Sequence, residues 1–257
     1  GDHFFGDRCS DHGIELAEDL VRFINLYGAE NIAACFVEPI AGSTGCLVPP
    51  KGYLKRLREI CDANSILLVF DEVITGFGRT GQTFAAQSFG VTPDLMTMAK
   101  GITNGAQPMG AVAISERIHD AIFDAAPEGG IEFFHGYTYS GHPAACAAGL
   151  ATLDIYEHEG LFDRGRALSP YFLDGLFSLR DVPVVADIRG YGMIGAIDVH
   201  ADGAPGKRAH MFQKKLFDNG LHLKATGDSA LVAPPLIAER THVDDIVDIL
   251  RRTLKSI

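Results

Sequence analysis

The sequence has few basic residues and no cluster of them. Its 257 residues include 22 Lys and Arg against 33 Asp and Glu, which gives a formal net charge of −11 at pH 7. Proteins that bind nucleic acid or an anionic membrane surface present a basic patch or stripe to the phosphate groups. We therefore expect neither nucleic acid nor a membrane as a partner.

The sequence also lacks the cysteine pattern of a secreted or zinc-binding protein. No apolar run reaches the roughly 18 residues that a membrane-spanning helix needs, and the first residues do not show the pattern of a secretory signal. His135 and His142 have no third metal ligand at a usable spacing. The cysteines are odd in number and none are in Cys-x-x-Cys spacing: Cys9, Cys35, Cys46, Cys61 and Cys146. We therefore expect no metal site, reduced thiols and a cytoplasmic location.

Apolar runs that predict buried strands alternate with stretches at helical spacing. Residues 32–39 (IAACFVEP) and residues 66–70 (ILLVF) are two such runs, and an amphipathic stretch at residues 51–63 separates them. Strands that are apolar on both faces belong to parallel sheets that helices cover. The same reasoning predicts strands at residues 95–99, 110–114, 184–188 and 193–199, and helices at residues 11–27, 143–158, 208–219 and 242–254, with one more helix directly after residue 160. The strands are shorter beyond that point, which predicts a second, smaller α+β domain.

Charged residues follow the predicted strands at their carboxyl ends. Asp71 and Glu72 end one strand, Lys100 ends the next, and Glu38 ends a neighbouring one. Ligands of open α/β sheets bind at this edge, so an acid and a lysine here predict a shared site. The alternative is structural: Asp71 and Glu72 would be a helix cap or a solvated strand end, Lys100 a surface lysine, and Glu38 a solvated strand end.

Two segments resemble the signature of the class III, pyridoxal phosphate-dependent aminotransferases: LLVFDEVITGFGRTG at residues 67–81 and PDLMTMAKGITNGAQPMGAV at residues 93–112. Residues 37–61, 135–161 and 227–237 fit the same family, so the likeness covers nearly the whole chain. It is strongest for the omega-amino acid (beta-alanine):pyruvate transaminase group. The resemblance implies an α/β, fold-type I transferase with a mainly parallel sheet, in which residues 1–160 form the C-terminal portion of the large cofactor-binding domain and residues 161–257 the small C-terminal domain.

The resemblance also assigns roles to individual residues around pyridoxal 5'-phosphate. It implies that Lys100 holds the cofactor as a Schiff base, that Asp71 contacts the pyridine nitrogen, that Val73 packs on the ring face and that Glu38 lies nearby. Thr138 matches a threonine that reaches the phosphate of the neighbouring subunit, which implies a homodimer with shared active sites. The alternative is that Thr138 is an ordinary loop threonine in a turn with aromatic residues.

The proposed chemistry explains why these residue types are needed. A lysine amine reacts with an aldehyde only when it is unprotonated, and we expect a partly desolvated site that lowers the pKa of Lys100 from about 10.4. Once the amino substrate displaces it, the freed amine can carry the proton between the substrate carbon and the cofactor's aldehyde carbon. A carboxylate at Asp71 keeps the ring nitrogen protonated, so that the ring draws electrons from the substrate.

The sequence departs from the family in two places. The glycine-rich phosphate cup and the aromatic residue that stacks on the cofactor have no counterpart here, so the chain is expected to be the C-terminal part of a longer enzyme. Lys224 stands where members that bind a substrate carboxylate have arginine. Because lysine offers a point charge instead of a two-pronged contact, Lys224 pairs a carboxylate less tightly, or the preferred substrate differs, or the side chain points to solvent.

These observations predict a transaminase that moves an amino group from an omega-amino acid or amine to pyruvate or a related keto acid. The alternatives are another class III enzyme, such as a 4-aminobutyrate or diamine transaminase or an aminomutase, and a catalytically silent subunit that has lost its N-terminal part.

Overall fold

The structure is a computed structural model that describes residues 12–257, so Cys9 and the first residue of the predicted helix 11–27 lie outside the described residues. Eight helices and eight strands are present in this part of the chain. In chain order they are α1 (Gly13–Tyr27), β1 (Ala34–Val37), α2 (Tyr53–Ala63), β2 (Leu67–Asp71), α3 (Ala85–Phe89), β3 (Leu95–Met98), β4 (Ala111–Ile114), α4 (Glu116–Asp124), α5 (Pro143–His158), α6 (Leu161–Phe177), β5 (Val185–Tyr191), β6 (Ile194–Val199), α7 (Lys207–Asp218), β7 (Lys224–Thr226), β8 (Ser229–Val232) and α8 (Arg240–Leu254). None of these helices is long and apolar enough to cross a membrane.

The first sheet has the strand order β1-β2-β3-β4. β1, β2 and β3 are parallel, whereas β4 runs antiparallel to β3. A parallel return needs a crossover connection, usually a helix, and the chain between β3 and β4 contains only one 3-10 turn, at Lys100–Ile102. The predicted mainly parallel sheet is therefore confirmed, with an antiparallel strand at one edge.

Helices α1 and α2 cover one face of this sheet. In α2 the apolar residues Leu54, Leu57 and Ile60 recur every third position and are buried against Leu68 and Phe70 of β2. Fully burying a side chain of this kind stabilises the fold by about 1.5–3 kcal/mol. This packing fixes β2, the strand that ends at Asp71.

The second sheet is antiparallel throughout and has the strand order β5-β6-β8-β7. β5 and β6, both predicted as strands, form a hairpin, and a left-handed glycine, Gly192, lies in its turn with φ +61°. The hairpin of β7 and β8 was not predicted, because strands of three and four residues are too short to show an alternating pattern.

The core beneath the second sheet includes residues from both sides of residue 160. Phe172, Leu176 and Ile197 follow that residue, and Phe77 and Tyr156, which precede it, are buried in the same cluster. Because Phe77 follows β2 and Tyr156 lies in α5, this shared core holds the loops at the carboxyl ends of β2 and β3 against the second sheet.

Candidate active site

Asp71 and Lys100 lie at the same edge of the first sheet. Asp71 is the last residue of β2 and pairs with Thr97 of β3, three residues before Lys100. The Glu72 N–H donates to the Thr97 carbonyl oxygen at 2.9 Å, so the ladder continues past Asp71. Glu38 directly follows β1, whose last residue pairs with β2. The arrangement agrees with the expectation that these strand ends meet.

The backbone at Lys100 is in the left-handed region, with φ +44°. This conformation costs a residue other than glycine on the order of 1–3 kcal/mol, and such strain clusters at functional sites. The next residue has to be glycine, because a Cβ on Gly101 would lie 2.7 Å from the Cβ of Phe77. The surrounding packing thus holds Lys100 in a conformation that its own sequence does not favour.

Two cavities meet at Lys100. One has a volume of about 550 Å³ and is also lined by Val73, Arg79 and Tyr156. The other has a volume of about 450 Å³ and is also lined by Lys224. Lys100 therefore shares one cavity with Val73 and the other with Lys224, and the lysine is exposed in this chain. The expected desolvation of Lys100 is absent because the side chain follows the end of β3 and lies where the two cavities meet, outside the core.

The Asp71 carboxylate is held by the backbone two residues further on. It is half-buried, and its Oδ1 accepts a hydrogen bond from the Val73 N–H at 3.0 Å. Asp71 lines neither cavity at Lys100 itself, whereas Val73 lines the larger one. This hydrogen bond thus fixes the Asp71 carboxylate relative to Val73, the residue expected to pack on the ring.

Of the two structural alternatives considered for Glu72, the structure has the helix cap, in a buried form, and not the solvated strand end. Its side chain is completely buried and accepts hydrogen bonds from the Thr75 hydroxyl at 2.8 Å and from the N–H groups of Ala85 and Ala86, both at 2.7 Å. Burial raises the pKa of Glu72, and the three hydrogen bonds oppose that rise. Glu72 therefore fixes the loop after Asp71 to the first turn of α3.

Arg79 is a second residue whose position the sequence did not indicate. Its Nη1 donates to the carbonyl oxygens of Met193 at 2.9 Å and Pro234 at 2.6 Å, and no carboxylate of residues 12–257 forms an ion pair with it. Burial lowers its pKa, and the Tyr156 side chain opposes that shift. Arg79 ties the loop after β2 to the second sheet beside the Lys100 cavity. Its only sequence signal was its place within the motif GFGRTG.

The remaining candidate residues lie outside the cavity walls. The Glu38 Oε2 accepts a hydrogen bond from the Gly42 N–H at 3.1 Å, which closes a tight turn after β1. Thr138 is exposed in the loop between α4 and α5 and lines neither cavity at Lys100. Among residues 12–257, no group of three or more His, Cys, Asp or Glu side chains is placed to hold a metal ion.

The profile of the family described as Aminotransferase class-III matches residues 7–254. The chain belongs to the class III aminotransferases. It is 53% identical over 254 residues to an omega-aminotransferase of Caulobacter vibrioides, covering 97% of this chain and 58% of that protein. It is 49% identical over 247 residues to a beta-alanine–pyruvate aminotransferase of Pseudomonas aeruginosa, covering 95% of this chain and 55% of that protein.

Solved transaminase structures share the fold. An omega transaminase of Pseudomonas jessenii in complex with PMP matches with a TM-score of 0.92 and 34% identity, covering 98% of this chain and 57% of that chain. This match confirms the predicted α/β, fold-type I architecture. The chain spans just over half the length of the curated relatives it matches.

Proposed function

We propose that the protein containing this chain is a pyridoxal phosphate-dependent transaminase. It moves an amino group from a donor similar to beta-alanine, an omega-amino acid or an amine, to pyruvate or a related keto acid. The observation that carries the proposal is the meeting of a backbone-strained lysine and a held carboxylate at one sheet edge, at Lys100 and Asp71. The omega-aminotransferase and the beta-alanine–pyruvate aminotransferase among the relatives support this choice of substrates.

The described residues fit the cofactor. A cavity of about 550 Å³ contains Lys100 and Val73, and small-molecule sites measure about 300–1,000 Å³. In this proposal Lys100 binds the cofactor covalently, Asp71 holds the ring nitrogen, Val73 covers a ring face and Glu38 supports the site from the neighbouring strand end. The bound cofactor supplies an electron-withdrawing ring.

The chain's own groups carry the protons. The Lys100 Nζ, when displaced by the amino substrate, would take a proton from the substrate carbon as a base and would then deliver it, as an acid, to the carbon that was the cofactor's aldehyde. The Asp71 carboxylate would keep a proton on the ring nitrogen. The hydrogen bond from the Val73 N–H holds the Asp71 Oδ1 in place.

Lys224 is proposed to bind the substrate carboxylate. It lines the cavity of about 450 Å³ that it shares with Lys100, and its side chain is exposed at the start of β7. An exposed ammonium pairs with a carboxylate weakly and is screened by salt. A diamine donor is the second candidate, since such a substrate needs no carboxylate contact, and a putrescine–pyruvate aminotransferase of Pseudomonas aeruginosa is 38% identical over 257 residues.

We further propose a homodimer in which Thr138 reaches the cofactor phosphate of the neighbouring subunit. The supporting observation is the apolar exposure around Thr138: Phe134 is 90%, Tyr137 80% and Tyr139 78% exposed. Contiguous exposed apolar surface of this kind marks interaction sites.

The proposal also includes a cytoplasmic location and a division into residues 1–160 and 161–257. The free thiols support the location: Cys35, Cys46, Cys61 and Cys146. The two separate sheets support the division.

The test uses the protein expressed from its complete gene. Pyridoxal phosphate is added to the cofactor-free protein, the visible absorbance is recorded, and the bound cofactor is trapped with borohydride and mapped by mass spectrometry. We expect the label at Lys100 and bleaching of the band by beta-alanine. Lys100→Ala should lose both signals, whereas Lys55→Ala, which removes an exposed lysine of α2, should keep them. A label at another lysine, or an unchanged band in Lys100→Ala, would refute the assignment.

A further inference from the structure

Two contacts hold the residue that follows Lys100. Lys100 has φ +44°, and Phe77 packs so closely that Gly101 has no room for a Cβ. The Tyr156 hydroxyl donates a hydrogen bond to the Gly101 carbonyl oxygen at 2.8 Å. The hydrogen bond therefore acts on the residue directly after the strained lysine.

Tyr156 is itself rigidly placed. It lies in the last turn of α5 and is only 8% exposed. Its ring stacks on Phe77 with a centroid distance of 6.1 Å and contacts Phe162 of α6 at 4.9 Å. The residue that donates to the Gly101 carbonyl thus also packs on Phe77, the side chain that leaves Gly101 no room for a Cβ.

The hydroxyl remains a donor at every working pH. Burial raises the pKa of Tyr156 above its ordinary value near 10, and the charge of Arg79 opposes that shift without reversing it. The group that faces the Gly101 carbonyl is therefore the protonated phenol, which donates one hydrogen bond to the oxygen.

We infer that Tyr156 is a positioning residue for Lys100. Its hydroxyl, through the Gly101 carbonyl, keeps the lysine backbone in the left-handed conformation that directs the Lys100 amine toward the reacting atoms. The inference rests on the proposed function of Lys100. It adds a residue of α5, more than fifty positions along the chain from Lys100, to the machinery of the site.

The test is Tyr156→Phe in the protein expressed from its complete gene. This variant removes the hydroxyl and keeps the ring that packs on Phe77. The matched control is Tyr171→Phe, which removes a hydroxyl that donates to Asp244 at 2.6 Å on the exposed surface between α6 and α8. Three quantities are measured for each variant: the rate at which added pyridoxal phosphate attaches to the cofactor-free protein, kcat and KM for donor and acceptor, and the midpoint of thermal unfolding.

We expect Tyr156→Phe to slow attachment and to lower kcat by the same factor, about two- to tenfold, which is the loss that one hydrogen bond of ordinary net strength produces. KM should not change in step, because the substrate contacts are untouched. Tyr171→Phe should leave attachment and kcat unchanged.

Two results would overturn the inference. In one, Tyr156→Phe attaches cofactor and turns over like the unmodified protein. In the other, it lowers the unfolding midpoint and raises KM while attachment keeps its normal rate, which describes a purely structural tyrosine. If borohydride trapping still places the cofactor on Lys100 in either case, the proposed function survives and only the role of Tyr156 fails; a label on another lysine would end the proposed function first.

Discussion

Asp94 is the anchor of the strand that leads to Lys100, and neutralising it should destabilise the protein. Its carboxylate accepts hydrogen bonds from the Leu68 N–H at 2.8 Å, from Arg58 at 2.8 Å and from Arg117 at 3.0 Å. The side chain of Asp94 is 13% exposed and that of Arg58 18%, whereas Arg117 is 71% exposed. The Arg58 contact is therefore the strong one, and the Arg117 contact contributes little.

The expected magnitude follows from these contacts. A hydrogen bond to a charged group contributes about 1.5–3 kcal/mol; the Arg58 and Leu68 bonds are both made to Oδ2 of the Asp94 carboxylate, so their contributions do not add in full. Asp94→Ala removes both the Arg58 and the Leu68 bonds, so we expect the free energy of unfolding to fall by about 2–4 kcal/mol. The control is Asp62→Ala, since Asp62 contacts the same Arg58 at 2.7 Å but is 66% exposed; its cost should be below about 1 kcal/mol.

The pH dependence provides a second check. Burial favours the neutral form of Asp94, but the hydrogen bonds outweigh it and hold the pKa of Asp94 below its ordinary value. A carboxylate with a lowered folded-state pKa stabilises the fold fully above its unfolded-state pKa, near 3.9, and loses that contribution as the pH falls through the folded-state value. The difference between the unmodified protein and Asp94→Ala should therefore be constant from about pH 5 to 8 and shrink below about pH 4.

The assay is urea unfolding followed by far-UV circular dichroism at several pH values. A loss below about 1 kcal/mol at pH 7 would refute the reasoning on Arg58 and Leu68. A difference that persists undiminished at acid pH would show that Asp94 acts through something other than its charge.

Two further predictions concern the second cavity and the thiols. Lys224→Arg should lower KM for beta-alanine about three- to tenfold with little change in kcat, because arginine binds a carboxylate through two hydrogen bonds. If both proteins had the same KM for donors with and without a carboxylate, Lys224 would not bind the substrate carboxylate. Burial raises the pKa of Cys46 to about 12, although Arg189 opposes that rise, so iodoacetamide at pH 8 should leave Cys46 unmodified while the half-buried Cys146 reacts; mass mapping that finds Cys46 labelled as fast as Cys146 would contradict this.

Much of the site's framework is visible in the sequence. Continuous apolar runs predicted the strands that the structure has at β1, β2 and β3, because burial on both faces of a covered sheet leaves a local signature. The carboxyl-end rule then placed Asp71 and Lys100 at one edge, and the surrounding motif pointed to the family. These inferences need only residue type and spacing along short segments.

The contacts that hold the site were decided by residues distant in the sequence. The sequence left open whether Glu72 is a helix cap or a solvated strand end, and the structure has the cap, because α3 offers two N–H groups of its first turn to the buried side chain. Arg79 donates to carbonyls of Met193 and Pro234, and Tyr156 to that of Gly101. Residue type and spacing in a short segment do not identify such distant hydrogen-bond partners.

The sequence by itself determined which residues can do the chemistry and which strands deliver them, since periodicity and residue type are local properties. Only the tertiary structure decided the strained backbone at Lys100, its exposure between two cavities and the residues that hold it. The physical reason is that a positive φ at lysine is unfavourable locally and persists only when packing and hydrogen bonds from other elements compensate it.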